Sequence, residues 1–160
     1  MTTDTSHSDP QPQQDAWLAK YQDHARRVAE ARPANKAALF DALSRAGITK
    51  VVVNFDGYGD SGQIEQVEAR AGDDVLVGLP LDQIEFVEPV YGDPEKVERS
   101  THTVSEAIET LVYAFLEQTH DGWEDNDGAY GDFTFDVENR TITLDYNGRY
   151  TECLYYCHTF

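Results

Sequence analysis

Residues 133–158 read FTFDVENRTITLDYNGRYTECLYYCH, and the alternation within this stretch decides the fold class. Residues 133–137, 141–146 and 150–158 place apolar or β-branched side chains at about every second position, the period of a half-buried strand. Glu138-Asn139-Arg140 supplies one turn, and Asn147-Gly148 is the strongest two-residue hairpin signal a sequence can carry. The three segments predict an antiparallel meander. Helices precede and interrupt these hairpin-linked strands instead of alternating with them. The class is therefore α+β, an antiparallel sheet of about five strands with helices packed on one face and the other face wet.

Working outward, residues 103–118 predict a helix. Thr103 and Glu106 form a capping box, and Val104, Ala107, Ile108, Leu111, Val112 and Phe115 make an apolar stripe. The helix should end near His120, whose protonated ring suits a helix C-terminus. Residues 50–55 (KVVVNF) read as a buried strand. In residues 63–70 the three-residue spacing of Ile64 and Val67 calls for a bulged strand. Residues 71–100, interrupted by Pro80, Pro89 and Pro94, leave room for one further short strand.

Two helices are expected at the start of the chain. The first runs from a cap at Asp15 to about Arg32, with Trp17, Leu18, Tyr21, Ala25 and Val28 on one stripe, and Pro33 breaks it. The second spans about residues 35–46 with Leu39, Phe40 and Leu43 inward, and Gly47 fits its left-handed stop, with Ile48 reaching back to Leu43. Residues 1–14 are polar and aperiodic and read as a disordered tail, leaving residues 15–160 as a single α+β domain.

No apolar stretch approaches a membrane span, and MTTDTSHSDPQPQQDA lacks the features of a signal peptide, so the implied address is the cytoplasm with no membrane contact. On a strand, Cys153 and Cys157 would stand roughly 13 Å apart, too far for a disulfide. With His158 they lack a second ligand pair for a metal, and no cofactor is implied.

Charge is uneven. The chain carries 30 acidic and 12 basic side chains; residues 1–53 hold six acids and seven bases, residues 54–160 hold 24 acids and five bases. Such a potential repels nucleic acid and anionic membrane and attracts a basic protein surface. The plain alternative is that surface carboxylates serve only solubility.

Two segments concentrate acids, glycines and aromatics, residues 56–62 (DGYGDSG) and 121–132 (DGWEDNDGAYGD). Their candidate partner-binding residues are Asp56, Tyr58, Asp60, Asp121, Trp123, Glu124, Asp125, Asp127, Tyr130 and Asp132. The second segment has calcium-site ingredients but fails the EF-hand register, because Trp123 would take the first ligand position. No nucleophile elbow, zinc-protease helix, phosphate loop or dinucleotide fingerprint occurs. A Trp in a turn usually folds back onto the sheet as core, although Trp123 and Tyr130 also have the character of interface anchors.

GDSGQIE (59–65), DGWEDNDGAYGDFTFDV (121–137) and RTITLDYNGRYT (140–151), in that order, resemble an uncharacterised family of short acidic bacterial proteins that often lie in plasmid and mobile-element regions. The likeness spans about residues 36–152, and the ending ECLYYCHTF departs from it. The resemblance assigns no catalytic residue. It implies a mobile-element accessory protein, an inhibitor or adaptor that works by binding.

The leading expectation is a non-enzymatic binding protein that docks on a basic protein surface, in one version as a nucleic-acid mimic. The alternative class is a metal-dependent or hydrolytic enzyme using the acidic loops. Direct binding to duplex nucleic acid is not expected, and an electrophoretic mobility assay with mixed-sequence DNA should show no shift. A salt-sensitive shift at about micromolar protein would overturn that expectation.

Overall fold

The computed structural model describes residues 11–93 and 95–160, with side chains from Gln13 onward. The order is α1 (Gln11–Arg45), β1 (Ile48–Tyr58), β2 (Ser61–Ala71), β3 (Val75–Val77), β4 (Gln83–Pro89), β5 (Val97–Thr103), α2 (Val104–Thr119), β6 (Ala129–Asp136) and β7 (Thr141–Gly148). β3-β2-β1-β6-β7 form one antiparallel sheet, and β4 and β5 form a separate pair. The fold is α+β. Two compact units result, one of residues up to Lys36 with Glu85–Thr101, the other of Ala37–Ile84 with His102–Phe160.

In the larger unit, alternation sorts the sheet into two faces. Val51, Val53 and Phe55 of β1 and Phe133 and Phe135 of β6 are buried on one. Val52, Asn54, Asp56, Asp132 and Thr134 are only half-buried on the other, so that face meets water. Helices cover the apolar face. Phe40 of α1 meets Phe135 with ring centroids 6.2 Å apart, and Phe115 of α2 meets Phe133 at 6.4 Å. The capping box holds as read: the Thr103 hydroxyl accepts from the Glu106 amide at 3.2 Å, and the Glu106 carboxylate accepts from the Thr103 amide at 3.1 Å. Leu111 is buried and Phe115 half-buried.

The bulge in β2 also appears. Asn54 pairs with Gln66 and Phe55 with Ile64, leaving Glu65 as the extra residue, which accounts for the irregular period. Gly47 adopts φ +74° at the end of α1, with Leu43 and Ile48 both buried beside it.

Other expectations need correction. Pro33 does not divide the first helix; α1 continues through it, with Leu39, Phe40 and Leu43 buried beyond. A proline removes one backbone donor, and on either side of it the helix is held by contacts a sequence pattern does not display. Within the smaller unit, the Arg27 guanidinium donates to the carbonyls of Asp93 at 2.8 Å and Lys96 at 3.2 Å, and the Asn35 amide exchanges two hydrogen bonds with the Val87 backbone at 2.8 and 3.0 Å. The stripe of Trp17, Leu18 and Tyr21 is exposed, with Trp17 and Tyr21 stacked on each other at 5.7 Å. Residues 11–14, expected in the tail, are helical; residues 1–10 lie outside the described residues.

Residues 71–100 hold three strands in whole or part rather than one, and residues 149–160 form none. The expected turn at Asn147-Gly148 is absent because β7 runs through both, pairing Asn147 with Tyr130 and Gly148 with Ala129. Cys153 and Cys157 are free and exposed, as are Tyr155 and Tyr156. No helix among the described residues is long and apolar enough to cross a membrane.

Leu111 lies at the centre of the α2 stripe, and Leu111→Ala should lower unfolding stability by about 2 to 5 kcal/mol. Chemical denaturation followed by circular dichroism checks this; an unchanged midpoint would contradict the placement.

Candidate functional site

The two acid-rich segments, residues 56–62 and 121–132, meet in space. Gly59 and Asp60 form the two-residue connection of the β1–β2 hairpin, at φ +57° and +65°, the conformation that twisted strands favour there. Their amides point at the other loop. Gly59 donates to the Asn126 carbonyl at 3.1 Å and Asp60 to the Glu124 carbonyl at 3.0 Å. Within the second loop, the Asp125 amide donates to Gly122 and the Gly128 amide to Asp125, both at 2.9 Å.

Trp123 makes the junction possible. Its indole is 7% exposed and stands edge-on to Phe55 with centroids 5.5 Å apart. It rests against Gly57 and Gly62, and a Cβ on Gly62 would lie 2.3 Å from the ring. Gly128 approaches as closely, since a Cβ there would meet the Gly57 carbonyl oxygen at 1.7 Å. The two loops therefore touch through backbone and one buried ring.

Arg149 ties the junction from the far side. Its guanidinium forms an ion pair with Asp56 at 2.9 Å, donates to the Gly57 carbonyl at 3.2 Å and lies 4.6 Å over the Tyr130 ring, while its amide donates to Gly128 at 2.9 Å. The Asp56 carboxylate beside it holds the guanidinium pKa above its usual value. Thr151 adds a hydroxyl bond to Asp127 at 2.6 Å.

The ten expected site residues thus fall into three groups. Asp60, Asp121, Glu124 and Asp125 gather at the rim, with Glu124 half-buried and the others exposed. Asp56 and Asp127 are engaged by Arg149 and Thr151, and Asp132 is hydrogen-bonded to Asn54 on the wet sheet face. Among the aromatics, Tyr58 is 71% and Tyr130 46% exposed, but Trp123 is not a surface anchor. Its ring is spent inside, where it holds the loops together.

Asp125 records the crowding. Partial desolvation first, then the charges of Asp60, Glu124 and Asp121, raise its carboxyl pKa above the ordinary value, and a hydrogen bond with Asp60 favours its protonated form. Beside the rim, Asp56, Tyr58, Ser61, Gln63 and Glu65 line an open hollow of about 260 Å³. Among the described residues, no group of three or more His, Cys, Asp or Glu side chains is arranged to hold a metal ion. The rim carboxylates are acceptors of the kind that pair with ammonium and guanidinium groups.

Sequence reading missed Arg149 and the glycine seats. An arginine just after Asn-Gly in so acidic a stretch was a visible signal. The seats at Gly57, Gly62 and Gly128 were not, because a glycine that admits a distant ring looks like a turn glycine.

Residues 31–160 match the model of a family of unknown function (DUF6878). The chain belongs to that family. The match includes residues 152–160, which the resemblance read from sequence had left aside. Comparison with curated proteins and with solved structures finds no match.

Two outcomes are expected of this DUF6878 protein. In a Trp17→Phe background, where Trp123 alone reports, Gly62→Ala should shift the emission to the red and cost about 1 to 3 kcal/mol; unchanged emission and stability would contradict the seating. Because the folded-state pKa of Asp125 is raised, its contribution to stability is fully present below the unfolded carboxylate pKa and is lost as pH rises through the folded value. Melting temperatures from about pH 3 to 7 should therefore show Asp125→Asn gaining on the unsubstituted protein as pH rises. A constant difference between the two would remove the crowding argument.

Proposed function

We propose that the joined loops are a docking surface for a basic protein, and that the protein acts by binding. The observation that supports this reading is the convergence of Asp60, Asp121, Glu124 and Asp125 on one cross-linked backbone, at the cost of a carboxyl whose ionisation its neighbours oppose. An arriving Lys or Arg relieves that repulsion, so the folded protein is prepared for a cation it does not itself supply. Tyr58, exposed beside the hollow, offers apolar area next to the charge.

The setting belongs to the same reading. The bacterial, mobile-element context implied by the resemblance makes the partner a nucleic-acid-handling protein in the cytoplasm, an inhibitor's or adaptor's target, with carboxylates standing where phosphates would bind. The chain itself contacts neither nucleic acid nor membrane.

The test begins with capture of a partner from native lysate at low and high salt, followed by surface plasmon resonance across a salt series. Asp60→Asn/Asp125→Asn should slow association by about tenfold at low salt, whereas Glu109→Gln/Glu117→Gln on α2 should change it little. Tyr58→Ala should chiefly speed dissociation. If the helix pair matters and the loop pair does not, or if no basic partner is retained at any salt, the proposal fails.

A further inference from the structure

β7 is the last strand of its sheet, and among the described residues no strand pairs with its outer backbone edge. On the apolar face its Ile142, Leu144 and Tyr146 are only half-buried. Beside them lies an open hollow of about 160 Å³ lined by Phe115, Thr119, Phe133, Ile142 and Leu144. An open edge next to apolar side chains is a template for one more strand.

Segment 150–160 has the character of that strand. The rings of Tyr156 and His158 stack with centroids 6.5 Å apart, and those of His158 and Phe160 at 6.4 Å. Two residues of extended chain advance about 6.4 to 6.8 Å, so this spacing places alternate side chains on one side of a strand-like backbone. Leu154, Tyr156 and Phe160 share that side, Cys153 and Cys157 the other. Leu154 is 70% exposed, Tyr156 72%, and Phe160 wholly.

The segment does not turn back along its own β7. Asn147 and Gly148 remain paired with β6, the Arg149 amide is bound to Gly128 and its guanidinium to Asp56, and Thr151 is bound to Asp127. A hairpin return would break these bonds, so the occupant of the edge comes from another molecule.

We propose that segment 150–160 of one copy adds to the free edge of β7 in a second copy, and the reverse, giving a two-fold dimer. Charge favours a second copy at this place. Two chains of net charge −18 repel over most of their surfaces, but segment 150–160 carries Glu152 as its one acid and β7 carries Asp145 as its one acid. The contact therefore joins the least charged parts of both molecules, and two-fold symmetry makes each copy donor and acceptor at once. The apolar side of the segment fills the hollow, and the cysteine side lies along Thr141 and Thr143. This inference stands apart from the docking surface proposed above.

Sedimentation velocity of the full chain under reducing conditions, from about 1 to 100 µM at about 0.15 M salt, should show a concentration-dependent dimer. Leu154→Glu/Tyr156→Glu should be monomeric throughout, with an unchanged circular dichroism spectrum, since both side chains are exposed within one copy. Thr143→Cys should form a disulfide-linked dimer on mild oxidation, and adding Cys153→Ser/Cys157→Ser should abolish it. A monomer at every concentration, a dimer that survives the glutamate pair, or a cross-link that needs neither native cysteine would overturn the proposal.

Discussion

The Trp123 indole has room only because Gly57 and Gly62 carry no side chains, and the rest of the site depends on that fit. The ring anchors the loop after α2 to the end of the β1–β2 hairpin and extends the cluster of Phe55 and Phe133 to that hairpin end. Once the ring is seated, the amides of Gly59 and Asp60 reach the carbonyls of Asn126 and Glu124. Exposed loops ordinarily hold their carboxylates loosely and apart. Here a buried aromatic group fixes the backbone, and the carboxylates inherit its order.

Electrostatics follow from that order. Asp136 and Asp125 are the same residue type with opposite shifts. The side chain and backbone amide of Asn139 stabilise the Asp136 carboxylate and lower its pKa, whereas desolvation and acidic neighbours raise that of Asp125. A single arginine, Arg149, neutralises the inner acid Asp56, and among the described residues no ion pair reaches the rim acids Asp60, Asp121, Glu124 and Asp125. The centre of the junction is thus closed by its own cation, and the periphery faces outward with charge unmet.

The two ends of the sheet differ in how they meet solvent. β3 ends one side with three residues, Val75–Val77, a strand too short to template much further pairing. β7 ends the other side with eight residues that alternate between exposed and half-buried, and the chain beyond it is steered away by Arg149 and Thr151. The same two residues that lock the acidic junction therefore keep the chain beyond β7 from folding back along it. Charge and edge are coupled through one short stretch of chain.

Elements whose causes lie within a few residues were legible from the sequence. The capping box of Thr103 and Glu106 with its apolar stripe defined α2, a β-branched run marked residues 50–55 of β1, alternation marked residues 133–136 of β6 and 141–146 of β7, and the irregular spacing of Ile64 and Val67 announced the bulge at Glu65. The acid-rich segments could be singled out by composition, but not their meeting, which requires Trp123 to find glycines about 60 residues earlier. Continuity of α1 through Pro33 was likewise hidden, because it is supported by Asn35 on Val87 and by burial of Leu39 and Phe40. Residues 150–158 show the limit most directly: their alternation and Asn147-Gly148 specify a hairpin strand locally. Asp56, Asp127 and Gly128 hold Arg149 and Thr151, and pairing with β6 draws Asn147 and Gly148 into β7. Turn propensity acts on neighbours in the chain, while these bonds act on neighbours in space, and at this position the second set prevails.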